Sequence, residues 1–212
     1  MGDADHPRQG ESVYRPIVAF DFDGTLTVRD SFTAFLQWRA GPAAYWAGLA
    51  RLAPAAARYA RDRDRGRLKA AAVRQFLAGM SRIEIEDAAR AFAEGHARRL
   101  FRPDALRAWA LWREEGARLV IVTASPEEIV QPFARGLGAD HLIATRLAYD
   151  AQDRLDGRLD GENCRGAEKV SRLRAEFGAD VHLDAAYGDT DGDREMLAIA
   201  EERGLNVFQG TP

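Results

Sequence analysis

At 212 residues, with 46% hydrophobic side chains and a net charge of −3, the chain has the size and composition of one large soluble domain or a core with a smaller insert. The near balance of charge excludes the profile of a nucleic-acid binder, which carries a basic stripe. A single cysteine, Cys164, excludes an intramolecular disulfide framework and a four-thiolate zinc site, and makes a reducing cytoplasm the expected compartment.

Residues 1–14 are polar, lack the apolar core of a secretory signal, and are expected to form a flexible leader. A β-branched and aromatic run at 17–20 then predicts a buried strand within 15–23. From Asp30 to about Leu100 the pattern is helical and rich in Ala and Arg, punctuated by Gly41-Pro42, Pro54, Gly66 and Gly79. About four helices are expected there, and Ser81 followed by Glu84 predicts a capping box. The most lipid-like stretch, 43–60, contains Arg51, Pro54 and Arg58. It falls short of the roughly 20 apolar residues of a spanning helix, so any membrane contact would be peripheral.

A helix is expected over 103–116, opening at Pro103, then a second buried strand at 118–123 and a helix from Pro126 to about Arg135. Strand is expected at 140–149 and a polar hairpin at 150–160 with Asp156-Gly157 at its turn. A helix at 168–177, a third core strand at 181–187, a helix at 191–203 and a short strand at 205–208 complete the chain. Strands alternating with helices predict an α/β fold with a central parallel sheet and helices on both faces. The expected division is a core of 15–29 and 101–212 and an inserted helical domain of 30–100.

Three of these strands end in small or acidic polar residues: Asp21 and Asp23, Thr123 and Ser125, and Asp189. The carboxyl ends of parallel strands are where such sheets bind ligands. Asp193 follows Asp189 by one helical turn, and Lys169 opens the helix between the second and third of these strands. Gly24-Thr25 supplies a turn with free backbone N–H groups suited to an anion. So many carboxylates together raise one another's pKa unless a cation compensates. A hard divalent ion such as Mg²⁺ suits carboxylates plus a phosphate oxygen, and an aspartate can serve as nucleophile.

The four motifs DFDGTLT at 21–27, VTAS at 122–125, EKV around Lys169 and GDTDGD at 188–193 occur in this order. In them the chain resembles the haloacid dehalogenase (HAD) superfamily of phosphohydrolases over about residues 15–210. The branch is the phosphoserine-phosphatase-like one, subfamily IB, which has a Rossmann-like core and a C1-type helical cap inserted after the first motif. The resemblance implies hydrolysis of a phosphate monoester with Asp21 as nucleophile and Asp23 as acid and then base. It implies Mg²⁺ held by Asp21, Asp189 and the Asp23 carbonyl, with Asp193 orienting Lys169 or a metal-bound water. Thr123, Ala124, Ser125, Gly24, Thr25 and Lys169 would hold the phosphoryl group.

The match to phosphoserine phosphatase itself has departures. Thr123-Ala124-Ser125 stands where that enzyme has Ser-Gly-Gly, and Gly192 where it has Asn. Asp30 stands where it has a glutamate that recognises the substrate amine, and a helix-capping role for Asp30 is equally open. The substrate therefore does not transfer with the chemistry: amino-acid, sugar or polyol, and phospholipid phosphates all remain candidates. Phosphoryl transfer to an acceptor other than water uses the same residues. A receiver-like signalling domain and a non-catalytic phosphate-binding protein are the non-enzyme alternatives. Cys164, His96, His141 and His182 are expected to pack or face solvent, and the 61–65 charge run is expected to be a solvated helix face.

Overall fold

The computed structural model describes residues 14–212. The expected leader lies outside that range except for Tyr14, whose hydroxyl donates to Asp184. The first strand, β1 (Ile17–Phe20), occupies the middle of a six-stranded sheet. It pairs in parallel with β2 (Arg118–Pro126) on one side and β5 (Leu183–Gly188) on the other. Beyond β2 lie β3 (His141–Tyr149), parallel, and β4 (Leu155–Asp160), antiparallel to β3. Beyond β5 lies β6 (Ala200–Leu205), parallel. The chain thus builds outward from β1 in one direction and returns to build in the other. The carboxyl end of β1 is therefore at the topological switch point, where open α/β sheets form a crevice.

Alternation along the strands sorts the core into two layers. Val18, Phe20, Leu119 and Ile121 face one side, and Ala19, Val120 and Val122 the other. The first side is covered by α5 (Arg82–Leu100), α6 (Pro103–Glu114) and α7 (Glu127–Leu137), through Phe92, Trp109, Ile129 and Phe133. The second is covered by α8 (Ala167–Phe177) and the short α9 (Arg194–Ala198), through Leu173, Met196 and Leu197.

Between β1 and α6 the chain forms five helices rather than about four: α1 (Ser31–Ala40), α2 (Pro42–Arg51), α3 (Ala53–Asp62), α4 (Arg65–Leu77) and α5. Gly41-Pro42 separates α1 from α2, and Pro54 sits in the first turn of α3, where a missing N–H costs nothing. The junction between α3 and α4 carries no Pro or Gly. Arg63 takes a left-handed conformation there and Asp64 caps α4, so the break falls just before Gly66, which lies in the first turn of α4. The Ser81–Glu84 capping box forms as expected. The apolar core is continuous from the sheet into these helices through Phe32, Phe35, Val73, Leu77, Ile85 and Phe92.

Two expectations fail toward the C-terminus. The hairpin turn is not at Asp156-Gly157 but at 150–153, where one Asp150 oxygen accepts from the N–H groups of Gln152 and Arg154, both at 2.9 Å. Gly157 lies inside β4 because α4 crosses it: a Cβ there would come within 2.9 Å of the Arg74 Cα. The helix expected over 191–203 stops at Ala198. The Ala-Glu-Glu-Arg sequence that favours helix instead pairs with β5 as an edge strand, with Leu183 opposite Ala200; its charges protect that edge from further pairing. The strand expected at 205–208 is accordingly displaced to 200–205.

Gly157 also has φ +80°. Gly157→Ala is expected to destabilise the protein by about 1–3 kcal/mol, read as a lower urea midpoint in chemical denaturation. An unchanged midpoint would show that α4 does not press on β4.

Candidate active site

Asp21 follows the last residue of β1, and its N–H donates to the Tyr187 carbonyl of β5 at 2.8 Å. This bond carries the strand pairing one residue beyond β1 and fixes where the carboxylate emerges. Lys169, on the first turn of α8, is 1% exposed. Its ammonium makes three bonds of 2.6 Å, to Asp21 Oδ1, Asp193 Oδ1 and the Val122 carbonyl. One cation thereby ties together β1, β2, α8 and the 3₁₀ turn Asp191–Asp193. Asp193 also accepts from the N–H and hydroxyl of Thr190, both at 3.0 Å.

Asp23 is anchored separately. Its Oδ1 accepts from the Ser31 N–H at 2.6 Å, at the start of α1, and its Oδ2 accepts from the Ser125 hydroxyl. Ser125 is itself turned by its N–H bonding Thr123 Oγ1. The Ala124 carbonyl accepts from Thr145 and from Lys69 of α4. Thr25 Oγ1 lies 3.5 Å from Asp21 Oδ2. Gly24 has φ +84°, and a Cβ there would fall 2.0 Å from Asp189 Oδ2. Only glycine allows both that backbone and that approach. Asp30 caps α1, its Oδ1 accepting from the Thr33 N–H at 2.6 Å, and it also borders the cavity over the motif residues.

Burial dominates the electrostatics. It pushes Asp21 up to about 7 against the opposing charge of Lys169, and Asp23 up to about 6 with help from nearby Asp30. Asp189 is also raised by burial and by Asp193. For Lys169 burial acts downward, but the two carboxylates outweigh it and keep the ammonium charged. For Asp193 burial acts upward, and Lys169 and Thr190 outweigh it and hold the carboxyl low. Cys164, buried, has its thiol pushed up to about 11 and is a packed side chain, not a nucleophile.

Oxygens of Asp21, Asp189 and Asp193 lie within 4.8 Å of one another. Asp189 Oδ1 is buried and has no hydrogen-bond partner. An orphaned buried carboxylate oxygen is costly unless a cation meets it. An all-oxygen donor set suits a hard divalent ion, so these residues fit such a metal.

The structure brings together in one cavity the predicted Asp21, Asp23, Gly24, Asp30, Thr123, Ala124, Ser125, Lys169, Asp189 and Asp193, with Thr25 beneath them. It adds Lys69, which the sequence reading passed over. A signal was present: of 30 Lys and Arg residues only Lys69 and Lys169 are lysine, and both reach this cavity. Arg102, whose guanidinium holds the Gly24 carbonyl at 3.0 Å and that of Gly210 at 3.1 Å, was also missed. A larger cleft of about 960 Å³ between α5 and α7 contains none of the motif residues.

These features define the class. The chain belongs to the haloacid dehalogenase-like hydrolase family, whose profile matches residues 18–198. It is 61% identical over 211 residues to Protein CicA of Caulobacter vibrioides, covering 99% of this chain and 94% of that protein. Its fold is similar to that of a Bordetella pertussis protein of unknown function, with a TM-score of 0.73 and 24% identity over 87% of this chain and 86% of that one. It is also similar to a phosphoserine phosphatase solved as a phospho-aspartyl intermediate analogue, with a TM-score of 0.59 and 20% identity over 89% and 85% of the two chains. Among the described residues no helix is long and apolar enough to cross a membrane.

Burial pushes Lys69 down to about 8, the nearby Asp23 and Asp30 opposing. A lysine depressed in the folded state costs stability while the unfolded lysine is protonated, and that cost is relieved as pH rises from about 8 toward 10.5. Lys69→Met is therefore expected to stabilise the protein near pH 7 by about 1–2 kcal/mol, with the gain shrinking above pH 8. Urea unfolding at pH 7 and pH 9.5 checks this; a gain that grows with pH would contradict the assignment.

Proposed function

We propose that the protein is a Mg²⁺-dependent phosphatase that hydrolyses a phosphate monoester through an aspartyl-phosphate on Asp21. The observation that carries this reading is the orphaned Asp189 oxygen beside Asp21, set against a fully buried, triply bonded Lys169. Glu128 Oε2 is also buried without a partner, but only at Asp189 do further carboxylate oxygens, of Asp21 and Asp193, lie within metal-ligand reach.

Asp21, Asp189 and Asp193, with the Asp23 backbone carbonyl, would hold the ion. When bound, it neutralises carboxylate and phosphate charge and so favours the ionised form of Asp21. Asp21 attacks phosphorus as the bond to the leaving oxygen breaks, and Asp23 donates its proton to that oxygen. Asp23 then takes a proton from water, whose oxygen displaces Asp21 and releases inorganic phosphate. A carboxyl near 6 serves both steps close to neutrality, and its bonds to Ser31 and Ser125 aim it. Lys169 and Thr123 would neutralise and orient the phosphoryl oxygens.

The helices of residues 30–100 would act as a cap: α2, α3 and α4 wall the cavity opposite the motif residues and would exclude bulk water during turnover. Asp30 and Lys69 border the motif end of that cavity, Lys69 on the Ala124 carbonyl. The family and the comparison with a phosphoserine phosphatase trapped as a phospho-aspartyl analogue support the intermediate. A cytoplasmic location with a free phosphate monoester as substrate accords with this reading.

Phosphate release from a panel of monoesters is expected to require Mg²⁺ and to stop with chelator. In Asp21→Asn it should fall by at least about a thousandfold, with an unchanged circular dichroism spectrum. Release by a folded Asp21→Asn protein at the parent rate would remove this mechanism.

A further inference from the structure

The cavity over Asp21 and Asp23 does not close around a phosphate. It continues away from the sheet between α1, α2, α3 and α4, to a volume of about 840 Å³. That is in the upper part of the roughly 300–1,000 Å³ range of pockets that take drug-sized ligands. Its two ends differ in chemistry. The carboxylates, Lys169, Lys69 and Asp30 are gathered at the sheet end. The wall away from the sheet is mainly apolar, with Leu36, Tyr45, Leu49, Leu52, Leu68 and Phe76, and Tyr59 and Arg65 also border it. An amino-acid leaving group carries an ammonium and a carboxylate; this wall offers the ammonium no carboxylate, and its polar groups are the Tyr45 and Tyr59 hydroxyls and Arg65. Asp30 and Lys69 lie only near the phosphate end, and each already has a protein partner. Apolar surface facing a cavity of this size is stabilised when a hydrocarbon covers it.

The same helices carry a second mark on their outer faces. Residues 39–74 hold nine Lys and Arg against two Asp, within a chain whose net charge is −3. Arg39, Arg51, Arg58, Arg61, Arg63 and Arg67 are all exposed, and Arg65, also exposed, borders the chamber. Trp46 is 66% exposed beside them, and α3 buries none of its side chains. Basic side chains around an apolar chamber attract an anionic amphiphile.

We propose that the substrate is an amphiphilic phosphate monoester: its phosphate sits on the motif residues and its leaving alcohol bears a single long alkyl chain laid along the wall from Leu36 to Phe76. This rests on the phosphatase reading. Hydrolysis adds water across the P–O bond, giving inorganic phosphate and the free long-chain alcohol.

The test separates binding from turnover. Affinities of the Asp21→Asn protein for monoalkyl phosphates from ethyl to octyl, with phosphoserine and glycerol 3-phosphate beside them, read the chamber whether or not the parent is a phosphatase. The dissociation constant is expected to fall about two- to fourfold per added methylene, and both polar esters should bind more weakly than the octyl ester. Filling the chamber from the exposed face of α3 with Ala56→Trp, in the same background, should flatten that dependence. A dissociation constant independent of chain length, or one whose chain dependence survives Ala56→Trp, would overturn the proposal. In the parent protein, kcat/KM should follow the same order. Chain-dependent binding without turnover would remove the phosphatase reading and leave the chamber's ligand chemistry standing. Turnover without chain dependence would do the reverse. Octyl phosphate in solution and a monoacylglycerol phosphate in phosphatidylcholine vesicles then distinguish a dispersed from a membrane source: faster turnover of the vesicle-borne ester assigns the membrane, and faster turnover of octyl phosphate assigns solution.

Discussion

A fully buried ammonium organises this protein. Lys169 is removed from water at the amino end of α8, and an unpaired charge there would cost several kcal/mol. Its three bonds bring together Asp21 after β1, the Val122 carbonyl near the end of β2 and Asp193 of the turn after β5. Each partner comes from a different segment, so the sheet order, the start of α8 and the turn at 191–193 are mutually required. None can shift without leaving a buried charge exposed to a low-dielectric interior. The same arrangement leaves an excess of carboxylate at the switch point, which a divalent cation would complete. Structural stability and the charge balance of the candidate site thus share one set of atoms.

Much of this was legible in the sequence because the candidate site residues are tied to strand ends. Ile17 to Phe20 can only be a buried strand, and Asp21 follows it directly; Gly188 and Asp189 end β5 in the same way. Thr123 marks the end of the expected second strand, which in fact runs on to Pro126. What remained hidden were features decided by contacts distant in sequence. Gly157 looks like a turn residue beside Asp156, but its lack of a side chain serves the crossing of α4 over β4. Ala200 to Arg203 favours helix locally, and only the open edge of β5 makes it a strand. The place of the break between α3 and α4 rests on Arg63 adopting a left-handed conformation, which its residue type does not announce.

Lys69 shows how composition can carry information that motifs do not. A chain that uses arginine for nearly every cation has no general need of lysine. Arginine is always charged and holds partners with a broad fork, whereas lysine is a compact point charge whose pKa yields to burial. Both lysines reach the one cavity, where burial acts on them in the same direction. Lys169 lies between two carboxylates and stays charged. Lys69 donates to a neutral carbonyl, has carboxylates only nearby, and is depressed to about 8. Equal chemistry in two settings gives one cation held charged by its carboxylates and one pushed toward neutrality by burial.

The chamber proposed for the leaving group was the least legible part for a physical reason. Leu68, Ala72 and Phe76 recur at helical spacing on α4, and a side chain facing a cavity obeys the same periodicity as one facing a core. Hydrophobic pattern reports that a face is withdrawn from bulk water, not whether protein or ligand covers it. The charged end differs because a carboxylate has few acceptable surroundings, so its presence at a strand end already implies a partner. Chemistry in this fold is therefore written in residues whose burial is costly alone. The proposed chamber is lined by residues whose burial is ordinary, and it becomes visible only once the helices are placed over the sheet.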